Sequence, residues 1–305
     1  MNGYHRFGWV DIVRFRQHPD NFQFCPVTGE KLESLKACTN RQCPDYGKYV
    51  LPLDSRFCPT CGAKIEGEND SSERTFTING VSFDMVLVKA GTFTMGATPE
   101  QEYPYDDEKL AHQVTLTRSY YMGKTQVTQA LWKAVMGDNP SCFEGDNKPV
   151  EQVSWDDCQE FISELNAATG KNFRLPTEAE WEFAARGGNK SNHYQYSGSD
   201  NIDDVAWYDD NSGDETHYVA SKQPNELGIY DMSGNVWEWC SDWYGGYSSK
   251  SQTNPTGAKS GSYRVNRGGG WSNLAGYCRS SGRSLYSPGR RDDDLGLRLA
   301  LPVQP

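Results

Sequence analysis

Residues 174–187, RLPTEAEWEFAARG, and residues 231–239, DMSGNVWEW, carry the most informative local patterns in this chain of 305 residues. In the first stretch, Thr177 and Glu180 have the spacing of a capping box. In that motif, the two side chains accept hydrogen bonds from free backbone N–H groups at the start of a helix. Gly187 can end the helix in the left-handed conformation. The first stretch therefore predicts a helix of about two turns.

Four charged residues of this stretch, Glu178, Glu180, Glu182 and Arg186, are of the types used in acid–base chemistry. Glu178 and Glu182 are four residues apart, and Glu182 precedes Arg186 by the same interval. Side chains at this spacing lie on one helix face, where opposite charges pair. We interpret them as structural ion pairs rather than as a catalytic site.

The chain before this helix predicts strands. Residues 76–96 contain two runs rich in β-forming residues, divided by turn dipeptides at 79–80 and 90–91. Residues 112–124 alternate between apolar and polar side chains, which predicts one further strand.

Two more helices are predicted from their ends. Thr128 can cap a short helix that ends at Gly137, and Ser154 can cap a longer amphipathic helix that ends at Gly170. After about residue 190, small polar residues and aromatic residues dominate. A segment this long without regular secondary structure needs bound ions or stacked aromatic rings to be ordered. Short helices, small sheets and long loops together predict an α+β fold.

Composition excludes several classes of protein. Hydrophobic residues make up 36% and charged residues 23% of the chain, which excludes collagen-like, coiled-coil and wholly disordered sequences. No run approaches the ~18 apolar residues that a membrane span requires. Residues 1–15 lack the apolar core of a secretory signal. We therefore expect a cytoplasmic protein with no membrane span.

The net charge of −11 is unevenly distributed. Residues 1–66 contain nine basic and seven acidic residues, so the remainder of the chain carries a net charge of −13. Because nucleic-acid binding depends on neutralising phosphates with basic side chains, the charge of this remainder disfavours it. An acidic domain is better suited to Ca²⁺ or to a basic peptide.

The N-terminal cysteines predict a zinc site. Two close pairs lie in CTNRQCPDYGKYVLPLDSRFCPTCG, each beside turn-forming proline or glycine. Four thiolates on two turns can surround one tetrahedral zinc ion and leave no open position for catalysis. The predicted ligands are Cys38, Cys43, Cys58 and Cys61. Two disulfides are the alternative, which the lack of a secretory signal disfavours; Cys25 has no assigned role.

The cysteine pattern and the polar stretch after it divide the chain. We predict a zinc ribbon within residues 1–65, a flexible linker over 66–76, and a large domain over 77–305. The ribbon has no dense run of lysine and arginine, which favours protein docking; nucleic-acid binding is its alternative.

The large domain resembles the formylglycine-generating enzyme family, also called sulfatase-modifying factors. The resemblance runs in order through most of residues 78–302. It is carried by the blocks MVLVKAGTFTMG, KTQVTQALWKAVMG, PVEQVSWDDCQEFISELN, FRLPTEAEWEFAARGG, PNELGIYDMSGNVWEWCSDWY, RVNRGGGWSNLAGYCRSSGRS and SPGRRDDDLGLRLA. It implies a C-type-lectin-like fold with short helices, small antiparallel sheets and many loops.

The resemblance also implies a calcium loop. The family's ligands carry over to Asp231, Gly234, Val236 and Glu238, which offer carboxylate and carbonyl oxygens of the kind calcium prefers. Asp231 stands where related enzymes often have asparagine. The alternative is that Glu238 pairs with an arginine and that the neighbouring tryptophans belong to the core.

The family's oxidation site is incomplete in this chain. The oxidases bind Cu(I) through two cysteines five residues apart and convert a substrate cysteine to formylglycine. Counted from Gly268-Gly269, the first cysteine position is Asn273, the second is Cys278, and the histidine position is Leu274. One thiolate does not make a two-coordinate copper site, so copper is not expected.

Three functions follow. The first is a non-oxidase that binds a protein or peptide on a calcium-stabilised scaffold, with ligand-binding residues Trp271, Asn273, Tyr277, Arg283 and Arg290. The second is an oxygen-dependent oxidase of the formylglycine-generating type that uses Cys278 as its catalytic residue. The third is a ligand-binding variable protein of a diversity-generating retroelement, since such proteins reuse this fold and vary residues near its C-terminal end.

The zinc prediction is testable by one substitution. Cys58→Ser removes a thiolate ligand and should unfold the ribbon, whereas the melting transition of the large domain should hardly move. Elemental analysis should find zinc in the wild-type chain and its loss in the variant. A single transition that shifts as a whole, or a wild type without zinc, would contradict the prediction.

Overall fold

The computed structural model describes residues 72–303, together with the backbone of residues 10–11, 36–37 and 49–51. The chain divides into two compact units, Met1–Ser71 with Pro305, and Ser72–Gln304. The four predicted zinc ligands and Cys25 lie outside the described residues. The zinc ribbon and the bounds of the linker therefore stay predictions.

The described part of the first unit is one small sheet. Its strands are β1 (Val10–Asp11), β2 (Lys36–Ala37) and β3 (Tyr49–Leu51). They pair antiparallel in the order β1-β3-β2.

The second unit begins with the predicted hairpins. Strands β4 (Glu73–Ile78), β5 (Val81–Val88) and β6 (Gly91–Met95) follow one another. The β4–β5 turn needs Asn79 and Gly80 because both backbones are left-handed, with φ of 47° and 85°.

Residues 112–124 form two strands, which corrects the prediction of one. Strand β7 (His112–Leu116) pairs with β6, whereas β8 (Tyr120–Gly123) pairs with β5. The break between them lets consecutive strands join different sheets, and the alternating pattern of side chains does not reveal it.

The predicted helices form where their caps indicate. Helices α1 (Gln129–Met136), α2 (Trp155–Thr169) and α3 (Glu178–Ala185) each begin after a capping hydroxyl. Both α2 and α3 have a complete capping box. A single-turn helix, α4 (Ile202–Val205), follows in the loop-rich region.

The remaining strands complete three sheets in this unit. They are β9 (Trp237–Trp243), β10 (Gln252–Thr253), β11 (Arg264–Arg267), β12 (Arg283–Tyr286), β13 (Leu295–Gly296) and β14 (Ala300–Pro302). The strand orders are β14-β8-β5-β4, β10-β7-β6 and β12-β11-β9-β13. Small, mostly antiparallel sheets with short helices confirm the α+β prediction.

The sheet β14-β8-β5-β4 separates two apolar cores. Alternate side chains of β5 face opposite sides of the sheet, so Met85 packs in a core with Phe161 of α2, and Val86 packs in a core with Trp181 of α3. Helices therefore cover both faces of this sheet.

Buried ion pairs join distant parts of the second unit, and four of them have nitrogen–oxygen contacts shorter than 3 Å. Each joins a glutamate to an arginine of the last forty residues, and every partner's side chain is at most 6% exposed. These four pairs are Glu108–Arg279, Glu178–Arg283, Glu182–Arg267 and Glu238–Arg298. Burial opposes ionisation of Glu178, yet Arg283 and Arg267 hold its pKa below the ordinary value. These contacts agree with the structural interpretation of the α3 glutamates.

Ring stacking and a buried amide order part of the loop-rich stretch. The Trp207 and His217 rings stack at 3.7 Å, and the Lys222 ammonium lies 4.1 Å from the centroid of the Trp207 ring. Asn225 donates to the Ala184 carbonyl and accepts from the Leu227 amide. Side chains thus satisfy backbone groups that a sheet would otherwise pair.

Among the described residues, no helix combines the length and apolar character needed to cross a membrane. The cytoplasmic location stays a prediction.

Candidate functional site: the C-terminal surface

Two loops near the C-terminus, residues 271–277 and 286–293, lie side by side. We call these two loops the C-terminal surface. Trp271 Nε1 donates to the Asp293 carbonyl at 3.0 Å, and Ser272 Oγ donates to Asp294 Oδ2 at 3.0 Å. Trp271 also packs edge-on against Phe143, with ring centroids 5.3 Å apart. One side of the Trp271 ring system is thereby fixed by protein contacts.

Asn273 is a turn-forming residue of this surface. Its Oδ1 accepts from the Gly270 amide at 2.8 Å, and its carbonyl accepts from the Asp209 amide at 3.1 Å. The second contact places an acidic loop beside the surface. Residues 203–215, which run from α4 through this loop, include five exposed acidic residues: Asp203, Asp209, Asp210, Asp214 and Glu215.

Tyr277 belongs to an aromatic cluster that the sequence only partly predicts. Its ring stacks on Tyr105 at 5.1 Å and meets Trp237 edge-on at 6.1 Å. Tyr105 is 40% exposed, and Leu274, in the same turn as Tyr277, is 61% exposed. Tyr105 lies in a segment without a motif, so only the folded chain reveals it. The sequence could have identified Leu274 as a surface residue of this site, because it stands at the family's histidine position.

The two predicted arginines have different surroundings. Arg290 is about half exposed, pairs with Asp292, and has its guanidinium 5.7 Å from the centroid of the Tyr286 ring. Arg283 is in the interior, where Nε and Nη2 each donate to Glu178 at 2.8 Å. The structure therefore places Trp271, Asn273, Tyr277 and Arg290 in the surface loops, whereas Arg283 lies in the interior, paired with Glu178.

Cys278 is buried at the edge of the surface. It packs with Tyr196, Val205 and Tyr208, and burial raises the pKa of its thiol to about 12. A thiol with this pKa is protonated at neutral pH and is a poor nucleophile or metal ligand. Cys240 packs in the separate core with Trp181 and is not part of the packing cluster of Cys278.

The predicted calcium loop is closed by a glutamine. Gln126 Nε2 lies 3.1 Å from the Asp231 carbonyl oxygen, 3.4 Å from that of Gly234 and 3.0 Å from that of Val236. Gln126 Oε1 accepts from Asn235 Nδ2 at 3.2 Å. The Gly234 and Val236 carbonyls, which are predicted to bind calcium, thus share one amide donor with the Asp231 carbonyl; for Asp231 the predicted ligand is the side-chain carboxylate.

The carboxylates of the same loop also have protein partners. Glu238 accepts from Arg298 Nη2 at 2.7 Å and from Trp181 Nε1 at 2.6 Å. Asp231 Oδ2 accepts from the Ala220 amide at 2.8 Å, and burial raises the pKa of Asp231 to about 6. Calcium at these residues stays a prediction, and a cation there would have to displace Gln126 Nε2.

A buried carboxyl lies under the surface next to Phe143. Glu151 Oε1 accepts from the Phe143 amide at 2.8 Å, whereas Oε2 has no hydrogen-bond partner among the described residues. Burial, with a smaller contribution from Asp293, raises the pKa of Glu151 to about 7. The carboxyl oxygens of Asp292, Asp293 and Asp294 lie within 4.8 Å of one another. Burial first, and these neighbours second, raise the pKa of Asp294 to about 6.

The Glu151 carboxyl predicts a pH dependence of stability. The folded chain holds this proton more tightly than the unfolded chain, so the free energy of unfolding falls as pH rises from about 4.5 to about 7. Glu151→Gln removes this loss and should raise the melting temperature by a few degrees at pH 8 but not at pH 4. Glu144→Gln, on the exposed side of the same loop, is the matched control. An equal effect of Glu151→Gln at the two pH values, or the same pH-dependent gain in Glu144→Gln, would contradict the assignment.

Comparison with known proteins identifies the family. Residues 77–303 match the model of the sulfatase-modifying factor enzyme 1-like domain. The chain is 35% identical over 269 residues to chaperone protein LppX of Paenibacillus barcinonensis, covering 72% of this chain and 89% of that one. It is 36% identical over 190 residues to mouse formylglycine-generating enzyme, covering 57% of this chain and 50% of that one.

A solved structure shares the fold. Treponema denticola variable protein 1 superposes with a TM-score of 0.70 and 35% identity, over 76% of this chain and 99% of that one. The sequence match, the fold and the shared blocks agree: this chain belongs to the formylglycine-generating enzyme, or sulfatase-modifying factor, family.

Proposed function

We propose that this chain is a non-oxidase member of its family that binds a protein or peptide through the C-terminal surface. The observation that carries the proposal is Asn273, which stands at the first cysteine position and whose side chain accepts from the Gly270 amide. Cys278 has no second thiol beside it in its packing cluster, and its raised pKa keeps it protonated. A two-thiolate copper site has no basis in these contacts, so we propose no copper.

The composition of the surface supports a binding role. Tyr277 and Leu274, with the adjoining Tyr105, present aromatic and aliphatic area on a rigid frame, and Ser272 is exposed beside them. Tyrosine contributes a large contact area with little conformational entropy to lose, as in antibody loops. Exposed apolar groups in one place mark interaction sites.

The charge around the surface favours a basic ligand. The neighbouring loop presents Asp203, Asp209 and Asp210 to solvent. Arg290 and Arg291, the basic residues of the surface, pair with Asp292 and Asp157. The balance of charge is therefore negative, which attracts lysine- and arginine-rich segments and repels nucleic acid from this domain. For the N-terminal unit, nucleic-acid binding is the alternative to protein docking, and zinc is its proposed structural metal.

Peptide selection tests this function. A random peptide library displayed on phage is selected on the full chain, and peptides rich in lysine or arginine are expected to be enriched. Leu274→Lys should weaken the binding of the selected peptides about tenfold or more, because the substitution removes an apolar contact and places a positive charge against the basic peptide. Leu110→Lys is the control, since Leu110 is also exposed, at 52% against 61% for Leu274, but precedes β7.

Two results would contradict the proposal. One is the absence of enriched peptides, or an equal loss of binding in the two lysine variants. The other is conversion of a Cys-x-Pro-x-Arg peptide thiol to an aldehyde by the chain with copper, a thiol reductant and air. That conversion, if lost in Cys278→Ser, would establish the oxidase alternative.

A variable ligand-binding protein is the second candidate. Its support is the likeness to Treponema denticola variable protein 1 over nearly the whole of that protein. This candidate predicts a near-identical template repeat and a reverse transcriptase gene beside the coding sequence. It also predicts adenine-rich codons for residues 271–277. A locus without the repeat and the reverse transcriptase would exclude it and leave the binding proposal intact.

A further inference from the structure

The loop of residues 231–238 converges on one nitrogen atom. Gln126 Nε2 faces three carbonyl oxygens, of Asp231, Gly234 and Val236, at 3.0–3.4 Å. The exposed fraction of Gln126 is 1%, and each of the three loop residues is buried. Three carbonyl oxygens that face one position can bind a cation or a hydrogen-bond donor. Here the N–H groups of Gln126 Nε2 fill that position.

The orientation of this amide is determined by its contacts. Asn235 Nδ2 donates to Gln126 Oε1, whereas the three carbonyls can only accept. Exchanging the oxygen and nitrogen of Gln126 would place acceptor against acceptor on one side and donor against donor on the other. The amide nitrogen therefore belongs at the centre of the carbonyls.

The carboxylate of the loop is neutralised by a neighbouring cation. Arg298 donates through Nε and Nη2 to the two oxygens of Glu238, at 2.9 and 2.7 Å. The same guanidinium donates to the Gly123 and Tyr230 carbonyls at 2.8 Å. Neither side chain is more than 1% exposed. The negative charge of Glu238 is thus matched without a metal ion.

This donor set does not suit calcium. Calcium binds six to eight oxygen atoms at about 2.3–2.6 Å, whereas here the carbonyls surround an N–H donor. An ion at this point would have to expel the Gln126 amide and would face the Arg298 charge across Glu238. Both changes oppose binding of a divalent cation.

We propose that Gln126 and Arg298 together replace a calcium ion in this chain. The Gln126 amide donates to the three carbonyl oxygens, and the Arg298 guanidinium donates to the Glu238 carboxylate. The conformation of the loop is thereby fixed by Gln126 and Arg298, which are 172 residues apart in the sequence. Because Asn235 in this loop accepts from the Trp271 amide through its carbonyl at 2.8 Å, the replacement also supports the C-terminal surface. The inference does not depend on which ligand that surface binds.

Restoring an oxygen ligand tests the replacement. Gln126→Glu exchanges the amide nitrogen for a carboxylate oxygen, which repels the three carbonyls unless a cation lies between them. Calcium is removed from the full chain with EGTA, zinc is returned, and melting is followed with and without added calcium. Gln126→Glu should melt on the order of 5 °C below wild type without calcium and recover when calcium is added.

Wild type and a second variant provide the controls. Wild type should show no calcium response at this loop, so Gln126→Glu should bind about one calcium ion per chain more than wild type by calorimetric titration. Gln126→Met has similar length but neither donor nor carboxylate, so it should lose stability that calcium does not restore. The replacement is overturned if wild type and Gln126→Glu respond equally to calcium, or if calcium rescues Gln126→Met.

Discussion

Buried pairs of arginine and glutamate hold this fold together. Arg279 reaches Glu108 across 171 residues and Arg283 reaches Glu178 across 105, so each pair fastens a late segment to an early one. A charge buried without its partner is costly: removing one member of such a pair destabilises a protein by about 3–5 kcal/mol. The pairs therefore allow one arrangement of the C-terminal segments and penalise the others.

This constraint explains how so many loops stay ordered. Residues 188–236 contain only one full helical turn, of α4, and a 3-10 turn, yet their backbone groups are bonded to side chains such as Asn225 and Asp231. Such bonds are strong only where water is excluded. The buried ion pairs and the two apolar cores provide that exclusion. The sequence of the exposed loop tips can therefore change without loss of the fold.

The family's chemistry and its scaffold are separable in this chain. The scaffold is retained, whereas the first cysteine position holds Asn273, and Gln126 lies where the resemblance implies a cation. Both are amide side chains, and both bond to the backbone of the loop that they support. Under the proposed replacement, a loop that the resemblance assigns to a divalent metal is held by protein hydrogen bonds alone, which requires that each carbonyl and amide finds a partner.

The sequence by itself determined the local elements and the family. Thr177 with Glu180 and Ser154 with Asp157 specify helix starts, because capping involves residues only three apart. The blocks around Trp237 identify the fold. Tertiary structure alone decided that residues 112–124 divide between two sheets, that Arg283 lies inside, and that Tyr105 joins Tyr277. These outcomes depend on contacts between residues far apart in the chain, and neither spacing nor alternation of side chains contains that information.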